Sequence, residues 1–167
     1  MKRLSLFATF LFAMIPFLSG APLSTGATAP VVSALTDAGV ELNLGEVYGQ
    51  SPYTLVYFYP KADTPGCTKQ GCSLRDAYAD LTKKGVTIIG VSTNDVEDQK
   101  AFKAKYNLPF TLLADTEKKV MKAFGQSGIM WASRQAYLIH DGKIVYADHK
   151  GSTTQQADDI LGFLAKP

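Results

Sequence analysis

Cysteine is scarce in this chain: Cys67 and Cys72 are the only two among 167 residues. A disulfide between them would span only four intervening residues, and closing so small a loop adds little stability. The pair therefore reads as a redox pair rather than a structural staple. Basic runs are missing as well. Lys2 and Arg3 are the only charges before residue 30, and the remainder holds fifteen basic and fifteen acidic residues. A neutral domain without a basic stripe gives no support for nucleic-acid binding. After residue 18 no apolar run is long enough to span a bilayer. Repeats, low-complexity segments and internal linkers are also lacking, so residues 30–167 read as one domain. Hydrophobic residues make up 46% and charged residues 19%, which excludes a disordered chain.

Residues 1–29 have the layout of a secretory signal. Lys2-Arg3 form a charged start, and Leu4 to Leu18 form an apolar run interrupted by Pro16. Ser19-Gly20-Ala21 and Ala27-Thr28-Ala29 both offer small residues for cleavage, and each is followed by proline. The expectation is a periplasmic protein, free of the membrane after cleavage. The alternative is an uncleaved anchor holding the domain on the periplasmic side.

Along the body, β-like pieces at Val31–Leu35 and Val40–Leu44 flank the turn Asp37-Ala38-Gly39 and predict an N-terminal hairpin. Buried strands are expected at 54–59, 86–92 and 109–113, and helices at 65–84, 96–106 and from Asp115 or Thr116 to Phe124. Asp141-Gly142 predicts a tight hairpin between strands at 135–140 and 143–147, followed by a helix from Thr153 or Thr154 to about Ala165. Strands that alternate with helices and then close with a hairpin and a helix give an α/β domain, a central mixed sheet flanked by helices.

The stretch Tyr53 to Ser73 carries the chemistry. A strand ends at Pro60, and Thr64-Pro65 reads as an N-cap followed by proline at the first helical position. Cys67 then falls in the first helical turn, where free N–H groups and the helix dipole favour a thiolate. Pro60-Lys61-Ala62-Asp63-Thr64-Pro65-Gly66-Cys67, with Cys72 five residues on, resembles the active-site pattern of the peroxiredoxins, in the bacterioferritin-comigratory-protein or peroxiredoxin Q branch. Asn107-Leu108-Pro109-Phe110, Leu113-Ala114-Asp115 and Arg134 are similar to that branch too, and the likeness covers residues 30 to 165.

The resemblance implies a thioredoxin-like fold and thiol-dependent reduction of hydrogen peroxide and organic hydroperoxides. It implies a peroxidatic role for Cys67 and a resolving role for Cys72 through an intramolecular disulfide. Arg134 would stabilise the thiolate and the peroxide, Thr64 would hydrogen-bond the peroxide, and Pro60 would shield the pocket. No metal or other cofactor is implied. The partners expected are a peroxide and a thioredoxin-like or other dithiol reductant, and the protein is expected to act as a monomer. Cys67 and Cys72 on one helix point about 140° apart with an axial rise of about 7.5 Å, so they can bond only if the helix unwinds. Gly71 is the candidate hinge, with Gly66 loosening the helix start. His140 and His149 read as structural or exposed, and Trp131 as a cover for apolar surface.

Two rivals carry less weight. A thiol–disulfide oxidoreductase would place both sulfurs at the helix tip in Cys-x-x-Cys. A copper carrier would use two thiolates and a histidine.

Overall fold

The computed structural model describes residues 20–166. The expected signal segment lies largely outside them. Seven strands form one mixed sheet: β1 (Ser33–Thr36), β2 (Glu41–Asn43), β3 (Tyr53–Phe58), β4 (Val86–Ser92), β5 (Thr111–Ala114), β6 (Gln135–His140) and β7 (Lys143–Asp148), in the order β2-β1-β5-β4-β3-β6-β7. β3, β4 and β5 run parallel at the centre, and β6 and β7 continue antiparallel on one side. The helices are α1 (Leu44–Val47), α2 (Pro65–Asp76), α3 (Tyr78–Lys83), α4 (Val96–Tyr106), α5 (Lys119–Ala123) and α6 (Gln156–Leu164).

The side-chain alternation of β3 divides the core. Leu55, Tyr57 and Tyr59 join Cys67, Leu74, Leu81, Phe102 and Ile160 on the face covered by α2, α3, α4 and α6. Val56 and Phe58 join Val47, Val120, Met121, Phe124 and Tyr137 on the face covered by α1 and α5.

The hairpins occur where the turn chemistry predicts them. Asp141 and Gly142 both have positive φ, 46° and 68°, the backbone of a type I′ turn. Boundaries differ elsewhere, for local reasons. Leu44 does not extend the second β piece. Asn43 caps a short helix there by accepting a hydrogen bond from Gly45 N at 2.8 Å, and Leu44 and Val47 are buried three residues apart. The helix expected over 65–84 breaks at Ala77 (φ −95°, ψ 9°). α3 resumes at Tyr78 and carries Leu81 into the core. α5 begins at Lys119, after the left-handed Lys118, rather than at Asp115. Asp115 still supplies its cap, accepting from Val120 N and Met121 N at 3.0 and 2.8 Å.

The folded unit also reaches N-terminal of the expected boundary at residue 30. Gly26 N donates to Ile144 O, Ala29 N to Gly142 O and Ile144 N to Ala27 O, at 2.8–2.9 Å, and Ala29 is buried. Leu23 N reaches Phe124 O at 3.3 Å.

Candidate active site

The topology, more than any local signal, assembles the site. β6 lies beside β3 with Phe58 paired to Gln135, so the residue before Gln135 falls at the end of β3 from which α2 departs. That residue is Arg134. Its Nη2 lies 3.4 Å from Cys67 Sγ, and its Nη1 donates to Gln70 Oε1 at 2.6 Å and to Gly66 O at 3.4 Å. Cys67 is 1% exposed. Gly66 and Cys67 are the second and third residues of α2, positions whose N–H groups have no partner within the helix. A buried sulfur thus meets two sources of positive potential, a permanent guanidinium and a helix start.

The loop between β3 and α2 is pinned at two points. Ala62 N donates to Asn94 Oδ1 at 2.9 Å. Asp63, left-handed at φ 58°, accepts from Lys105 Nζ at 2.7 Å and from Tyr106 Oη at 2.6 Å. The bonds from Lys105 and Tyr106 hold its carboxyl below the usual carboxylate range. Thr64 occupies the N-cap position of α2 but makes no side-chain cap bond. Its hydroxyl donates instead to Lys61 O at 2.9 Å, which leaves its lone pairs free to accept. Pro60 is half-buried where the chain leaves β3.

Cys72 is half-buried, and both cysteines are free thiols on the continuous helix α2. Behind them the phenol of Tyr57 is fully buried, and its hydroxyl has no hydrogen-bond partner among the described residues. Burial first, then Tyr59, Cys67 and Cys72, hold that phenol well above its ordinary range, so it stays neutral.

Several contributors had no signature in the sequence. Gln70 is fully buried and shares Arg134 with Cys67. Gly151 has φ 49°, and a Cβ there would lie 2.5 Å from Arg134 Cγ, so only glycine lets that loop close over the arginine stem. Gly66 has a related task that the sequence reading missed: a Cβ on it would lie 3.0 Å from Arg134 Nη2. It makes room for the guanidinium. Trp131 is the residue expected to cover apolar surface. It is 45% exposed beside the exposed Ile129 and Met130, with Lys61 Nζ 5.5 Å from its ring centre. His140 and His149 bond to the carbonyls of Pro52 and Leu23, at 2.7 and 2.8 Å.

The AhpC/TSA family model matches residues 25–147, most of the chain. This chain belongs to the AhpC/TSA family. Peroxiredoxin Bcp of Escherichia coli (strain K12) is 40% identical over 152 residues, which cover 86% of this chain and 96% of that protein. The chloroplastic peroxiredoxin Q of Suaeda salsa is 36% identical over 150 residues, 86% of this chain and 69% of that one. Among solved structures, peroxidoxin BcpB from Mycobacterium tuberculosis superposes with a TM-score of 0.78 at 27% identity, covering 84% of this chain and 95% of that one. The chain sits in the Bcp and peroxiredoxin Q branch of the family, and its seven-stranded mixed sheet is the thioredoxin-like peroxiredoxin fold.

Proposed function

We propose that this peroxiredoxin reduces hydrogen peroxide and organic hydroperoxides through Cys67, with Cys72 as the resolving thiol. The single observation that carries the reading is the 3.4 Å approach of Arg134 Nη2 to the buried Cys67 Sγ at the start of α2. The thiolate of Cys67 attacks one peroxide oxygen. The O–O bond breaks, the second oxygen takes a proton and leaves as water or alcohol, and Cys67 becomes a sulfenic acid. Arg134 faces the negative charge of the attacking sulfur and of the parting oxygens, and the free N–H groups of Gly66 and Cys67 point into the same space. Thr64 accepts a hydrogen bond from the hydroperoxide O–H, its own hydrogen being held by Lys61 O. Pro60 walls the pocket where the chain leaves β3 and limits the entry of water.

Cys72 then attacks the sulfenic sulfur, a disulfide forms and water leaves. A thioredoxin-like dithiol reductant, itself oxidised to a disulfide, returns both thiols. The enzyme works as a monomer in the periplasm. Supporting export is the apolar run that precedes residue 20. The packing of residues 22–29 on the domain favours cleavage near Ala21 over cleavage after Ala29. N-terminal sequencing of the mature protein tests this, and a mature chain that starts at Pro30 contradicts it.

The test of the activity itself is peroxide turnover by wild type and Cys67→Ser with a dithiol donor. The variant is expected to fold and to lose turnover. Near-wild-type activity in Cys67→Ser overturns the reading.

A further inference from the structure

The contact between α2 and the first turn of α6 does work that the peroxidase chemistry leaves unassigned. Gln70 and Gln156 are both fully buried, and Gln70 Nε2 donates to Gln156 Oε1 at 2.9 Å. The other end of the Gln70 amide accepts from Arg134 at 2.6 Å, which fixes its orientation. One turn further along α2, Ser73 Oγ accepts from Ala157 N at 3.2 Å. α6 has no side-chain cap of its own, so a residue of α2 satisfies one of its free N–H groups. Among the described residues Gln156 Nε2 has no partner, and the Gln70 contact is the side-chain hydrogen bond that ties Gln156 to another element.

We propose that Gln156 is a positioning residue. Through Gln70 it holds Arg134 over Cys67, and together with the Ser73–Ala157 bond it clasps α2 in its helical form until Cys67 has reacted. The proposal rests on the resolving role given to Cys72. Gln70 lies between the two cysteines, so the unwinding that brings them together must pull Gln70 from both Gln156 and Arg134. Chemistry at Cys67 loosens one tie by itself. The thiolate attracts Arg134, whereas the sulfenic acid is neutral, and the attraction fades once the first step is complete. What then still resists unwinding is the clasp from α6. Its strength therefore sets how long the sulfenic acid persists, and how often a second peroxide carries it to sulfinic acid.

The experiment uses the full chain with Gln156→Met, which keeps length and loses the polar ends, and separately Ser73→Ala. Amide exchange across residues 65–75 is measured on the reduced protein. Rapid mixing with hydrogen peroxide then separates Cys67 oxidation from disulfide formation, and mass spectrometry counts sulfinic acid. Each variant is expected to exchange those amides and to close the disulfide about fivefold faster, as loss of one buried hydrogen bond implies, and to accumulate less sulfinic acid. A residue with only a structural role would lower the melting temperature without changing the partition between disulfide and sulfinic acid. Exchange and closure within twofold of wild type in both variants overturn the proposal. The exchange measurement, repeated on Cys72→Ser, needs no disulfide. Faster exchange on loss of Gln156 in that background supports the clasp even if wild type forms no internal disulfide, in which case the resolving role of Cys72 is what fails. If Gln156→Met does not fold, Ser73→Ala decides alone.

Discussion

A methyl group on Gly66 would lie 3.0 Å from Nη2 of Arg134, the nitrogen that faces Cys67 Sγ. The glycine and the arginine are therefore one device: the backbone of α2 is bare where the guanidinium must pass. In Gly66→Ala the flexible end of Arg134 has to give way by a few tenths of an ångström, which costs the fold little but loosens the 3.4 Å approach of the charge to the sulfur. Cys67 oxidation should slow on the order of tenfold, less than the roughly 100-fold typical of losing such a donor outright. The melting temperature should change little. Stopped-flow oxidation and a thermal melt on the same sample check both halves, and an unchanged oxidation rate counts against the arrangement.

Arg134→Lys keeps a positive charge and loses the planar fork that serves Cys67, Gly66 and Gln70 together. It should slow Cys67 oxidation by roughly 100-fold. Thr64→Val keeps the shape of the side chain and removes the acceptor, and its effect should fall on the same step. Both are read as the second-order rate constant with hydrogen peroxide. A wild-type rate in both variants would exclude these roles.

Gly71→Ala addresses the unwinding directly. A Cβ at Gly71 would sit 3.6 Å from Leu108 and 3.7 Å from Phe102, ordinary contact distances, so the site accepts a methyl group and close packing does not demand glycine. The variant should stabilise the helix by about 1 kcal/mol. Disulfide formation should slow about fivefold and sulfinic acid should rise, with the first oxidation unaffected. A wild-type rate of closure means that Gly71 is no hinge.

The Asp63 clamp gives a pH dependence with a definite sign. The hydrogen bonds from Lys105 and Tyr106 lower the folded-state carboxyl below its ordinary value, so the ionised form is favoured by folding. Its contribution is complete above the ordinary carboxylate range and is lost as the pH falls through the lowered value. The side chain is exposed, so salt should weaken it. Asp63→Asn tolerates the same left-handed backbone, removes the charge and leaves one acceptor oxygen where the carboxylate has two. The difference in melting temperature between wild type and Asp63→Asn should be positive at pH 7, smaller at high salt, and should shrink as the pH falls through the lowered carboxyl value. A difference that grows on acidification would contradict the assignment.

The strand–loop–helix unit around Cys67 was legible because its signals are local: a run of apolar β-formers, a proline, and an N-cap position before Pro65. The limits of α4 were legible in the same way, since Asp95 caps it and Asn107 ends it in the left-handed conformation. Arg134 could be placed because it precedes a clear strand. The support behind it could not. Gln70 and Gln156 meet across 86 positions, and an isolated glutamine carries no periodicity or motif. Gly151 sits in a polar stretch where its positive φ looks like any loop, and only Arg134 packed beneath it gives the glycine a reason. The break at Ala77 was hidden because alanine favours helix strongly, and tertiary packing overrode that preference.

The segment 26–29 lies along β7, the last strand of the sheet, and exchanges backbone hydrogen bonds with Gly142 and Ile144. A strand in that place otherwise offers unpaired N–H and C=O groups to any extended chain it meets. If the chain is processed as proposed, the place of the cut therefore decides the state of this margin. A cut near Ala21 leaves this cover in place, whereas a cut after Ala29 uncovers the start of β7 and turns the sheet margin into a template for self-association. The same thioredoxin-like body would then be soluble or prone to aggregate according to eight residues that touch none of the peroxide chemistry.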